Sequence, residues 1–97
     1  MKSTIIFKEA IETYGIDNQM NVVIEEMSEL TKEICKYKRG FDNRKNIIEE
    51  MADVFIMLYQ LQIMLDITDY ELVEMAGHKL SRLQERIKEE NKNERTK

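Results

Sequence analysis

The sequence predicts an all-α fold, a four-helix antiparallel bundle over about residues 3–14, 17–38, 43–66 and 69–90, assembled as an oligomer. Three observations lead there. The 97 residues include no proline and three glycines, whereas an all-β chain needs turn residues every ~8–12 positions. Apolar residues recur at spacings of three and four along nearly the whole chain. The breaks between these runs are short, which makes successive helices antiparallel neighbours.

The length gives a prior of one domain, expected over residues 1–90, with 91–97 (NKNERTK) as a frayed tail. The first helix carries Ile6, Phe7, Ala10, Ile11 and Tyr14 on one stripe. Ser3 or Thr4 can cap it, and Gly15 can end it in a left-handed turn. The second starts near Asp17 or Asn18, and its stripe is Met20, Val23, Ile24, Met27, Leu30, Ile34 and Tyr37. Arg39 and Gly40 break that pattern, and Asn43 is placed to cap the third helix. The third stripe is Ile47, Ile48, Met51, Val54, Phe55, Leu58, Leu61 and Leu65. Thr68 to Glu71 reads as a capping box, because hydroxyl and carboxylate each satisfy an orphan amide. The fourth helix carries Leu72, Val73, Ala76, Leu80, Leu83 and Ile87. Its interior Gly77 costs ~1 kcal/mol relative to alanine, which points to close packing there. Stripes this wide leave apolar surface for a second copy, so a homodimer or homotetramer is expected.

Composition narrows the function. Fifteen basic residues against nineteen acidic give a net charge of −4. The isoelectric point is near 5.1. Neither a nucleic-acid polymer nor a membrane surface is the expected partner, since both attract clustered Lys and Arg. No apolar run approaches the ~20 residues of a spanning helix, and the first residues do not read as a signal peptide. Cys35 is the single cysteine, so no internal disulfide forms and a cytoplasmic location is expected.

The informative feature is a pair of acidic motifs. The second helix contains Glu25-Glu26-Met-Ser-Glu29, and the third contains Glu49-Glu50-Met-Ala-Asp53. On helical wheels Glu26 and Glu29 share a row at one edge of their stripe, together with Glu33. Glu50 and Asp53 share a row at the edge of theirs. Each is an i, i+3 pair whose members project from one side. Both pairs lie about two turns from the connecting loop, so four carboxylates can converge at one height. Packed together, they repel unless a cation sits among them or some take up protons. All-oxygen ligation suits Mg²⁺, Mn²⁺ and Ca²⁺. A di-iron site needs Glu-x-x-His pairs, and the only histidine, His78, has Met75 three residues before it. The other reading of the same residues is a solvated acidic face on a helical protein-interaction module.

EEMSEL followed one helix-turn later by EEMADV resembles the Glu-Glu-x-x-Glu … Glu-x-x-Asp signature of the MazG-like all-α nucleoside triphosphate pyrophosphohydrolases, in their small single-domain form. The resemblance covers about residues 17–88. It implies a four-helix bundle that assembles as a dimer or tetramer. It also implies a Mg²⁺-dependent hydrolase, with Mn²⁺ as a substitute, that cleaves a (d)NTP to the (d)NMP and pyrophosphate, as in nucleotide-pool housecleaning. Glu26, Glu29, Glu50 and Asp53 match the metal-binding, catalytic carboxylates. Glu25 matches the first Glu of the motif, and Glu49 reads as a surface residue. Lys79 and Arg82, on one row of the fourth helix, resemble the basic residues that contact phosphates in such enzymes, with Arg86 the weaker third. No tryptophan precedes the first acidic motif. Asn18, Gln19 and Asn21 are the amides there that can read a base edge.

Overall fold

The computed structural model describes residues 2–96. Helices α1 (Lys2–Tyr14), α2 (Ile16–Lys38), α3 (Arg44–Met64) and α4 (Asp69–Thr96) follow one another. No strand occurs among the described residues. The chain divides into two compact units, Met1–Asp66 and Ile67–Lys97. The first holds α1 to α3, and the second holds α4. The expected outer limits at residues 1 and 97 lie outside the described residues.

Several helix ends differ from expectation. Lys2 is already helical, so Ser3 and Thr4 lie inside α1 and do not cap it. Gly15 joins α1 to α2 with φ 88° and ψ 153°. That is the extended mirror-image region that glycine alone enters readily, not the left-handed helical turn. Its N–H donates to the Ile11 carbonyl at 2.8 Å, while its own carbonyl accepts from Gln19 at 3.0 Å. One residue thus closes α1 and opens α2. Asn18 turns back, its Nδ2 donating to the Tyr14 carbonyl at 2.8 Å, so it serves the end of α1 and not the start of α2.

In the first unit, α2 and α3 pack against each other and α1 packs on both. Polar cross-links define the pairing. Near the start of α2, Gln19 Nε2 donates to Gln60 Oε1, near the end of α3, at 2.7 Å. Near the end of α2, the Glu33 carboxylate accepts from Asn46 Nδ2, in the first turn of α3, at 3.2 Å. Early-to-late and late-to-early contacts make the two helices antiparallel. Asn43 stands at the N-cap position of α3, but its side chain makes no cap. Its Nδ2 instead donates to the Glu33 carbonyl at 2.9 Å and to Glu33 Oε2 at 3.2 Å. Lys36 Nζ lies 3.8 Å from the same oxygen. Among the described residues, the buried ones are Val23, Met57, Gln19, Glu33, Asn43 and Gln60. α1 adds Phe7, stacked on Tyr59 of α3 at 6.1 Å between ring centroids.

This interior follows the expected apolar stripes in part: Val23 is buried, and Met20, Leu30, Ile47, Val54 and Leu61 are half-buried. Ile24, Met27, Ile34 and Tyr37 of α2 are exposed, as are Ile48, Met51, Phe55 and Leu58 of α3 and Leu65 just beyond its end. Each helix has two faces able to pack. The mixed polar face carrying Gln19, Val23 and Glu33 meets the one carrying Met57 and Gln60, which leaves the strongly apolar faces outward.

In the second unit, the capping box forms as expected. The Thr68 N–H donates to Glu71 Oε2 at 2.8 Å, and the Glu71 N–H donates to Thr68 Oγ1 at 3.1 Å. The Thr68 backbone amide, and then its hydroxyl, hold the Glu71 carboxyl below its ordinary range. The stabilisation from this contact is present above that range and is lost as pH falls through the lowered value. Helix α4 runs on to Thr96, past the expected end near 90, since neither glycine nor proline interrupts residues 91–96. A Cβ added at Gly77 meets no atom within 4 Å, so close packing is not what accommodates that glycine.

Two substitutions test these backbone readings by chemical denaturation. Gly15→Ala destabilises by about 1–3 kcal/mol, the usual cost of a side chain in that backbone region. Gly77→Ala raises stability by about 0.4–1 kcal/mol, because the helix gains propensity and the added methyl meets open space.

Candidate metal centre

The antiparallel pairing of α2 and α3 brings three of the four expected carboxylates together. Glu26, Glu50 and Asp53 each offer an oxygen, and these oxygens all lie within 4.8 Å of one another. Glu26 and Glu50 are half-buried and Asp53 is exposed, so the group sits at the rim of the α2–α3 interior. Glu29 is exposed on α2 and stands outside the tight group. Glu25 and Glu49 are exposed as well, as their wheel positions implied.

The electrostatics follow from the geometry. Burial pushes the Glu26 carboxyl above its ordinary value. The negative charges of Asp53 and Glu50 push it further, and so do hydrogen bonds to both, which only a protonated partner can make. Glu50 Oε2 is buried and has no hydrogen-bond partner. A buried carboxylate oxygen without a donor is costly, and a cation bound by the cluster would supply what it lacks. The donor set is oxygen only, which fits Mg²⁺ or Mn²⁺ and not a soft metal. The residues present therefore fit a hard divalent cation held by Glu26, Glu50 and Asp53.

The remaining candidates fall elsewhere. Lys79 and Arg82 are exposed on α4, in the second unit. His78 Nε2 lies 4.0 Å from Glu74 Oε1, one turn earlier on the same helix. Cys35 is an exposed free thiol. The Gln19 amide is committed to Gln60 and is not free to read a base edge, while Asn21 is exposed. Gln60, Glu33 and Asn46 carry polar contacts that stripe reading passed over. Their signal is a spacing: Gln19, Glu26 and Glu33 on α2, and Asn46, Asp53 and Gln60 on α3, recur at seven-residue intervals.

One carboxylate of α2 facing the i, i+3 acidic pair of α3 across an antiparallel interface defines an all-α protein whose carboxylates can hold a hard cation. The chain belongs to the MazG family: the MazG nucleotide pyrophosphohydrolase domain matches residues 15–90. That span includes α2, α3 and most of α4. No curated protein sequence and no solved structure matches the chain.

The cluster predicts a trade between stability and binding. The folded metal-free protein holds the Glu26 proton more tightly than the unfolded chain does, so this group's contribution to stability falls as pH rises through its raised value. Glu26→Gln removes that penalty. Its melting temperature exceeds the parent's in metal-free buffer, and the gap widens as pH rises through the raised Glu26 value. Adding millimolar Mg²⁺ raises the melting temperature of the parent and leaves that of the variant nearly unchanged. Calorimetric melts with and without chelator check all three statements.

Proposed function

We propose that this protein is a Mg²⁺-dependent nucleotide pyrophosphohydrolase that converts a (d)NTP to the (d)NMP and pyrophosphate, with a housecleaning role in the nucleotide pool. Family membership implies nucleotide pyrophosphohydrolase activity. The observation that carries the finer reading is the Glu26, Glu50 and Asp53 group with the unpartnered Glu50 Oε2.

In this reading Glu26, Glu50 and Asp53 hold the cation, and Mn²⁺ can replace Mg²⁺. A cation there supplies charge neutralisation for triphosphate oxygens and acidifies a bound water. The overall step adds water across the α–β anhydride bond, releasing pyrophosphate. Glu29, one turn along α2 from Glu26, is the fourth carboxylate of the set. Being outside the tight group, it is available to accept the proton of the attacking water. Lys79 and Arg82 are assigned to the phosphates as point-charge and fork donors, respectively. The exposed apolar residues of both units support a homodimer or homotetramer, since Ile24, Phe55, Leu80 and Ile87 are each left about half or more in solvent. A cytoplasmic location and the absence of a nucleic-acid or membrane partner belong to the same proposal. No single helix among the described residues is long and apolar enough to cross a membrane.

The test is a panel of NTPs and dNTPs with Mg²⁺, reading pyrophosphate separately from phosphate. Pyrophosphate release in step with monophosphate is expected from at least one nucleotide. Release from none would return the acidic face to the rival reading, a non-catalytic interaction module. Asp53→Asn and Glu29→Gln each lower turnover by at least about 100-fold, the scale of a lost ligand or general base. Circular dichroism stays at the parent's helicity in both. Asp53→Asn also loses the Mg²⁺-dependent rise in melting temperature, whereas Glu29→Gln retains most of it.

A further inference from the structure

The polar contacts between α2 and α3 obey a rule that the carboxylates alone do not reveal. On α2 the residues involved are Gln19, Glu26 and Glu33, each seven apart, and on α3 they are Asn46, Asp53 and Gln60, again seven apart. Because the helices run in opposite directions, these residues fall into three rungs. Gln19 meets Gln60 at 2.7 Å, Glu26 meets Asp53 within the 4.8 Å carboxylate group, and Glu33 meets Asn46 at 3.2 Å. Seven residues are two helical turns, about 10.5 Å at 1.5 Å per residue. The carboxylate rung is therefore flanked at equal distances by two rungs of opposite character. The centre is a set of like charges that repel, and both flanks are donor–acceptor pairs that attract.

Three of the four flanking side chains are buried, and the fourth, Asn46, is exposed and meets Glu33 at the edge of the interior. Gln19 and Gln60 keep 6% and 4% of their surface, and Glu33 keeps 8%. Asn43 ties the Glu33 rung to the loop through the Glu33 carbonyl. The apolar residues buried with them are Val23 and Met57. An apolar contact of this size has no directional preference and tolerates sliding. A buried amide pair does not, because displacement by one turn leaves a dry donor and a dry acceptor.

We propose that the Gln19–Gln60 and Glu33–Asn46 rungs are positioning pairs. They fix the axial register of α2 against α3 and thereby force Glu26 against Glu50 and Asp53, a juxtaposition the carboxylates themselves oppose. As a statement about metal binding this rests on the cation reading above; as a statement about register it does not. The flanking rungs specify position more than they add stability, as a single buried polar residue sets register in paired helices.

The test replaces both members of one rung. Gln19→Leu with Gln60→Leu leaves no unpaired polar group, so folding is retained with a melting temperature at or above the parent's. Register is read by spin-label distances between Ser28→Cys on α2 and Ala52→Cys on α3, in a Cys35→Ser background. Positions 28, 35 and 52 are exposed. The parent gives one narrow distance. The double variant gives a broadened distribution or a second distance, displaced on the scale of one turn, about 5 Å. On unlabelled protein, Mn²⁺ affinity followed by its paramagnetic signal falls about tenfold or more, the usual effect of losing support behind metal ligands. A single narrow distance, unchanged in the folded double variant, would overturn the proposal. Failure of the parent itself to bind Mn²⁺ would remove the cation reading and leave the register result to stand or fall on the distances. Gln19→Met with Gln60→Met, nearer in shape to glutamine, serves if the leucine pair does not fold. Gln60→Glu as a single substitution, which keeps an acceptor for Gln19 Nε2, retains the narrow distance.

Discussion

The antiparallel pairing of α2 with α3 is the constraint on which the first unit depends. It sets two interests against each other. Glu26, Glu50 and Asp53 are brought close enough to bind one ion, and ionised carboxylates at that separation repel. Apolar burial opposes them without directional preference: among the described residues Val23 and Met57 are the buried apolar side chains, with Val22 and Val54 half-buried. The directional opposition comes from hydrogen bonds: Gln19 to Gln60 at one end, and Glu33 to Asn43 and Asn46 at the other. Their penalty for being broken in a dry interface exceeds their net gain when made. Such bonds suit the task of holding a particular alignment more than that of adding stability.

The loop between the helices belongs to the same device. Asn43 occupies the position where a side chain ordinarily caps α3, yet it reaches back to the Glu33 carbonyl and carboxylate. The first turn of α3 therefore forgoes a side-chain cap, a sacrifice on the order of 1 kcal/mol. In exchange, the turn at residues 39–43 is tied to the end of α2. Any change in the direction in which α3 leaves that turn would have to break a buried polar contact. The height of Glu50 and Asp53 above the loop, and hence their meeting with Glu26, follows from that tie.

The helices and the approximate level of the carboxylates were legible in the sequence because both depend on spacing alone. About six turns of apolar period identify α2 without any tertiary information. The i, i+3 placement of Glu50 and Asp53 is a property of one helix. What spacing does not determine is the rotation of each helix about its own axis when two faces are capable of packing. The expected α2 stripe runs through Val23 as well as Ile24, Met27 and Ile34, and the structure buries Val23 with Gln19 and Glu33 while leaving the other three exposed. Glu29 illustrates the same limit. It shares a row with Glu26, yet it is exposed where Glu26 is half-buried, because a small rotation at a rim decides which of two row-mates is covered. The helix starts were misread for a different reason. Ser3, Thr4 and Asn18 are good caps by type, but an unusual glycine geometry at Gly15 and helix already present at Lys2 left them inside or behind the ends they were assigned to.

The outward stripes and the inward charges belong to one economy of design. A chain of this length buries a modest fraction of its surface, and here part of the interior is spent on polar alignment. The apolar faces that would otherwise fill the core remain available for a second copy, which is where the proposed oligomer draws its stability. The acidic cluster then acquires a second meaning. In isolation it lowers the stability of the fold, because Glu26 must either keep a proton or share space with two charges. A bound cation removes that penalty, so part of what the fold loses at the site returns as affinity for the ion. The net charge of −4 likewise opposes a triphosphate only while the carboxylates stand uncompensated. With the cluster neutralised by a cation, that opposition to a polyanion falls away, which is the condition the proposed function requires.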